Sequence, residues 1–309
     1  MRTGLCPVRI REGGLFPRPL RVKDRERAPL AGASPKRHRA LLGGVPLNAK
    51  TVVTAFWLAI GTGAARAASP VDDLDRVLRT RVHIDGRVDY AGLRGADRAG
   101  LDRYLAWAAT ASVAGWSDAR RSAFWINTYN ARVLAVVADR PTLRSISDDF
   151  ALFDAPFDAA AQRLSLNDIE HRILRGKSRQ GQKPLPALGP AGFDPRIHFA
   201  LVCGARDCPR LRSFAYTEDN LEKTLSENAF DFANAPRHLR LENGRLVVSS
   251  LLKWYGEDFE AVGGAPAYLS RLLAAAPRPD AADIRTRLKK GFAGADFRYD
   301  WSVNDADPR

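Results

Sequence analysis

The residues of this chain that could do chemistry together are two asparagines, two histidines and two cysteines. Asn127 and Asn130 stand three apart in Phe124-Trp125-Ile126-Asn127-Thr128-Tyr129-Asn130-Ala131, so on a helix they share a face with Leu134. Asparagine is a poor mid-helix residue because its amide competes with the backbone. Two on one apolar stripe need partners elsewhere, either in a buried amide network or as polar groups lining a site. His171 and Arg175 are four apart and share a helix face, whereas Glu170 points another way. The Glu170-His171 neighbours are therefore no acid–base dyad in themselves, and a solvated helix face is the plainer alternative. His198 lies in Arg196–Cys203, where the alternation of Ile197, Phe199 and Leu201 predicts a β-strand. On a strand, His198 and Cys203 have opposite parity and stand about 16 Å apart. A base for a nucleophilic Cys203 then has to come from elsewhere, and His171 is the better candidate.

Cys203 and Cys208 enclose Gly204-Ala205-Arg206-Asp207, and the only other cysteine is Cys6. In an oxidising compartment such a pair favours a disulfide; a reactive thiol at Cys203 and two inert thiols are the alternatives. With no His-x-His or second cysteine pair nearby, the zinc case is weak. No Walker loop, GxGxxG fingerprint, GxSxG elbow or HExxH helix occurs, so no cofactor or metal is expected.

The elements that must position these residues are legible from spacing and punctuation. Helical periodicity covers Asp72–Val82 and recurs through Leu101, Leu105 and Ala108. Val82 to Tyr90 reads as a hairpin around Asp85-Gly86. Ser117 is a natural N-cap for a long helix over Asp118–Ala138, stopped before Pro141. A second helix covers Asp168–Leu174, and the Gly/Pro-rich stretch 176–195 is a loop. Further helices are expected over Thr217–Phe232, Ser250–Phe259 and Ala265–Ala275, with a hairpin turning at Asn243-Gly244 and a terminal strand over Phe297–Val303. Helices and strands mix without a βαβ repeat, so the fold class is α+β, or irregular mixed α/β, with a helical N-terminal part and a small sheet.

The formal net charge of +13 suggests a nucleic-acid binder only until it is located. Residues 1–67 hold 13 Lys and Arg against 3 Asp and Glu, leaving 35 against 32 in the rest. The excess belongs to the front segment, and nucleic acid is not an expected partner. Residues 1–44 scatter Arg, Pro and Gly without a period, as expected of an extension that buries no face. Residues 45–67 read as a signal peptide: Lys50, an apolar stretch around Val52–Ile60, then Ala65-Arg66-Ala67 at a cleavage site. The stretch is about 14 residues, short of the roughly 20 that span a bilayer. The expected product is one periplasmic or secreted domain over 68–304 without a stable membrane span, and a translation start near Val45 would give the leader ordinary length.

The segments around the candidate residues resemble the domain-of-unknown-function family 547. The resemblance rests on Phe124–Ala131, on Asp168-Ile169-Glu170-His171 with Leu174-Arg175, and on Asp194–Leu201 followed by Cys203-Gly204-Ala205 and Cys208-Pro209. Trp254–Phe259 and Tyr299-Asp300-Trp301-Ser302 extend it to roughly 110–304. Membership implies a shared fold and set of positions, and no settled reaction. Two functions follow as expectations. One is a thiol- or amide-acting hydrolase or transferase whose cleft gathers Asn127, His171, His198 and Cys203; its likeness to papain-like and transglutaminase-like enzymes is loose, because the long helix carries asparagines and no cysteine. The other is a non-catalytic binding or scaffold domain for a small-molecule or peptide ligand. The first places those side chains on one concave surface, and the second buries them without access.

Overall fold

A computed structural model describes residues 69–273 and 278–307, and its first helix begins at a complete cap. The Ser69 side chain accepts from the Asp72 backbone while the Asp72 carboxylate accepts from the Ser69 backbone, so α1 (Pro70–Arg81) starts with two otherwise orphaned donors satisfied. The front extension and signal peptide expected over 1–67 lie outside the described residues. After α1 come a tight turn closed by the Val82–Val88 bridge, the short α2 (Tyr90–Arg94), and α3 (Arg98–Thr110). Helix α4 (Asp118–Ala138) is capped by the Ser117 side chain and has Asp118 in its first turn. From Ala123 to Ala138 every residue but Arg132 is buried. A helix buried on nearly all sides is the axis of a core rather than its cover.

Beyond α4 the chain makes a small antiparallel hairpin, β1 (Phe157–Ala159) with β2 (Gln162–Leu164), and a π-helical turn over Asp168–Leu174. The loop that follows is pinned to α4 where Trp125 Nε1 donates to Leu188 O at 2.7 Å. Helix α5 (Leu221–Asn234) leads to β3 (Leu239–Glu242) and β4 (Arg245–Ser249), which turn at Asn243 and Gly244, both at positive φ. Then come α6 (Leu251–Trp254), a 3-10 segment over Gly256–Val262, α7 (Ala265–Leu273), α8 (Ala281–Leu288) and β5 (Asp296–Arg298), which pairs in parallel with β4. The architecture is mixed α+β, with one three-stranded sheet in the order β3-β4-β5 and one two-stranded sheet.

Two apolar clusters hold it together. One surrounds α4 and takes in Leu74, Leu101, Ile126 and Ile197; the other contains Phe199, Phe232, Val248, Phe259 and Leu269. The chain crosses between them at Pro195–Phe199, and this is where the structure corrects the sequence reading. Arg196–Cys203 is not a strand: Pro195–Phe199 is a 3-10 turn capped by the Asp194 carboxylate, which accepts from Arg196 N at 2.9 Å. Its apolar side chains alternate because Ile197 faces one cluster and Phe199 the other, so a period of two arises without a sheet. The parity argument separating His198 from Cys203 therefore loses its premise. The β1–β2 hairpin and α8 are further elements that the sequence reading did not include.

Candidate functional site

The two α4 asparagines act as backbone clamps. Asn127 donates from Nδ2 to Tyr216 O at 2.8 Å and accepts at Oδ1 from Tyr216 N at 2.9 Å. Asn130 donates to Ala200 O at 2.9 Å and accepts from Val202 N at 2.9 Å. Each primary amide thus satisfies one backbone N–H and one backbone C=O that no helix or sheet pairs. Both residues are buried, and the space beside them is about 10 Å³, room for one water at most.

The histidines enter a second network, at the seam between the clusters. His198 is buried, with Nε2 2.7 Å from Asp258 Oδ2 and its ring stacked on Tyr255 at 4.0 Å. Arg175 donates to the same carboxylate from Nε at 2.6 Å and Nη2 at 3.1 Å, and Lys177 also bonds to Asp258. A third bond from Arg175, through Nη1, ends on His171 Nδ1 at 2.8 Å. Because arginine only donates, Nδ1 of His171 is the acceptor and its proton resides on Nε2. Glu170 leaves the π turn in another direction, where Tyr255 and Tyr129 donate to its two oxygens, the latter at 3.3 Å.

Burial lowers the pKa of His171 and of His198, although the carboxylates of Glu170 and Asp258 pull the other way, so the neutral rings are favoured. Burial also opposes ionisation of Asp258, but the bonds from His198, Arg175 and Lys177 outweigh it and hold the carboxyl far below its usual range. Glu170 follows the same balance: burial raises it, while the cationic forms of His171 and His198, the Tyr255 hydroxyl and Arg175 bring it below its ordinary value.

Cys203 and Cys208 lie at disulfide distance, with Cα atoms 6.3 Å apart. The Tyr299 hydroxyl is 3.3 Å from Cys208 Sγ and 3.5 Å from Cys203 Sγ. Gly204, inside this loop, has φ +88° and packs against α4; a Cβ there would press on Val137 at 3.2 Å and Ile146 at 3.3 Å. The structure therefore brings His171 and His198 together through Arg175 and Asp258, ties Asn127 to Tyr216, and ties Cys203 to Cys208. The four nominated catalytic side chains are engaged in three separate arrangements.

An open cleft of about 300 Å³ lies on the other side of the cysteine loop. Its walls come from Asp85–Arg87, Ala205–Arg210, Arg237 and Asn304. The first and second walls touch at Gly86, where φ is +86° and a Cβ would stand 2.8 Å from Leu211 N, so only glycine permits the approach. The sequence reading did not single out Arg206, Arg237, Glu170 or Asp258 as functional. Glu257-Asp258 at the end of an aromatic segment was the available signal for the network, since acids there need cationic partners. The arginines of the cleft come from distant segments with no local motif.

Residues 113–233 match a protein family described as "Protein of unknown function, DUF547". Over that stretch the chain is similar to DUF547. The matched stretch runs from ahead of α4 to the end of α5 and contains Asn127, His171, His198, Cys203 and Cys208. Asp258, Arg237, Asn304 and the Asp85–Arg87 wall lie beyond it, so the partner of His198 and three of the cleft's four walls come from outside the matched part. No curated protein and no solved structure is detectably similar to the chain. Among the described residues, no helix is long and apolar enough to cross a membrane, and no group of three or more His, Cys, Asp or Glu is arranged to hold a metal ion.

Proposed function

We propose that this chain is an exported binding domain whose ligand, a small molecule or a segment of peptide, occupies the cleft beside the cysteine loop. The observation that carries this reading is the saturation of the nominated catalytic groups. The acceptor nitrogen of His171 is taken by Arg175, His198 is locked to Asp258, and both ends of the Asn127 amide are on backbone. A general base has to reach its target within about 3 Å or through one water, and a lone pair already facing a guanidinium does not take up a proton readily. The cleft, by contrast, has polar groups left over. Export is supported by the leader pattern and by a cysteine pair of the kind that persists in oxidising compartments.

The test pairs turnover with stabilisation. Purified protein is assayed against ester, thioester and amide substrates, and its melting point is followed across a small-molecule and peptide panel. The expected result is a ligand that raises the melting point and no turnover that His171→Gln or His198→Asn lowers. Turnover lost in both variants, with folding intact, would replace this reading with the hydrolase or transferase. Export is tested by mass spectrometry of the protein from its host: the mature chain should begin at Ala68, and an intact product carrying residues 1–44 would overturn the leader.

A further inference from the structure

Arg87, Arg206, Arg210 and Arg237 all line the cleft, but they are not equivalent. Arg87 is paired with Asp85 at 2.6 Å, and Arg210 with Asp231 at 3.2 Å. Among the described residues, Arg206 and Arg237 have no carboxylate at ion-pair distance. Arg206 Nε is buried without any hydrogen-bond partner. Arg237 gives its polar hydrogens only to neutral acceptors, the His238 ring at 3.0 Å and Cys208 O at 3.5 Å. Burial disfavours its charged form, and the nearest opposing charges are Asp207 and Asp85. Asp207 shares the wall, where its carboxylate accepts from Asp300 N at 2.8 Å and burial raises its pKa. Once the paired groups are set aside, two guanidiniums face one carboxylate across the opening. Leaving two arginines partly desolvated and unpaired is costly for a fold unless something neutralises them.

We propose that the cleft binds a phosphoryl group, presented by a phosphate monoester, through Arg206 and Arg237. This rests on the binding-domain reading and names the ligand class of that site. A carboxylate has two oxygens and is used up by one guanidinium fork, whereas a phosphoryl group has three and can accept from two forks at once. The cleft also exceeds the anion: about 300 Å³ is at the lower end of small-molecule sites, leaving room for the group the phosphate esterifies. The cysteine pair contributes by holding the loop, since Arg206 lies between Cys203 and Cys208 and Arg206 N is anchored on Ser302 O at 2.7 Å.

The experiment is isothermal titration of the full, oxidised chain with inorganic phosphate, glycerol phosphate and acetate at low salt. Glycerol phosphate should bind, inorganic phosphate should bind more weakly, and acetate should give no heat at millimolar concentration. Arg206→Gln and Arg237→Gln should each weaken binding at least tenfold, while Lys290→Gln, on an exposed surface elsewhere, should leave it unchanged. Arg206→Lys keeps the charge and loses the fork; it should still fold, by near-ultraviolet dichroism, and still bind less tightly, which keeps the proposal testable if a glutamine variant does not fold. Tighter binding of inorganic phosphate than of the ester would overturn the monoester. Acetate binding as well as the phosphates would overturn the phosphoryl class and leave the binding domain standing. Absence of binding by either phosphate would overturn the inference, and the binding-domain reading would then be judged on its own ligand panel.

Discussion

Arg175 donates to His171 Nδ1 across 2.8 Å while its other nitrogens hold the Asp258 carboxylate. The lone pair that would make His171 a base is used to complete an arginine's hydrogen bonds, and the arginine is fixed by a carboxylate with no exposed side-chain surface. Removing one partner of a buried charged pair typically costs about 3–5 kcal/mol, because the other is left uncompensated. Asp258→Asn should fall in that range by urea denaturation, since it removes the buried carboxylate and leaves Arg175 only the exposed Glu257, at 3.3 Å. An unchanged midpoint would contradict the structural role assigned to the network.

The asparagine clamps make a separate prediction. Asn127→Ala orphans both backbone groups of Tyr216, and Asn130→Ala orphans Ala200 O and Val202 N. Each should lose about 1–3 kcal/mol, read as a lower thermal midpoint. If neither single variant shifts the midpoint, the clamps are not holding the fold.

These clamps also mark how far the sequence carried. Ser117 and Asp118 announced α4, and two asparagines on an apolar stripe announced a need for partners. Asn243-Gly244 announced the β3–β4 turn. What the spacing could not convey was which backbone those amides meet, since Tyr216 is 89 residues from Asn127. The misreading of Arg196–Cys203 has a specific cause. Ile197 and Phe199 alternate because a 3-10 turn feeds two clusters, and Asp194-Pro195, a cap followed by a first-turn proline, was the opposing signal. The cleft was beyond local reading altogether, because its walls come from segments far apart in sequence that meet through contacts such as Gly86 against Leu211 and Asn304 N on Gly204 O.

Stability should fall as the solution is acidified through the histidine range. His171, His198 and His238 all have lowered pKa values in the fold, with burial the first cause of each. An unfolded histidine takes up a proton near pH 6.5. Below that pH the unfolded chain binds protons that the folded chain does not, so the stability present above it is lost progressively as pH falls. Asp207 has the opposite sign, since burial raises its folded value, but it is one group against three. The urea midpoint should be lower at pH 5.5 than at pH 7.5; equal or higher stability at the acid value would contradict the neutral buried rings.

The cysteine pair should leave no free thiol besides Cys6 when the full chain is denatured without reductant. Closing so short a loop stabilises by on the order of 2 kcal/mol, so reduction should lower the melting point modestly. It should weaken ligand binding more noticeably, because the loop carries Arg206. Two additional free thiols in freshly purified protein would contradict the pairing.

The central claim is that ligands seat in the arginine-lined cleft and not on the histidine network. Backbone amide chemical shifts, followed as the best stabilising ligand is titrated into labelled protein, test it most directly. The account predicts shifts concentrated at residues 85–87, 204–210 and 237, with 170–175, 198 and 255–258 unmoved. Shifts centred on His171, His198 and Asp258, with the cleft silent, would contradict it.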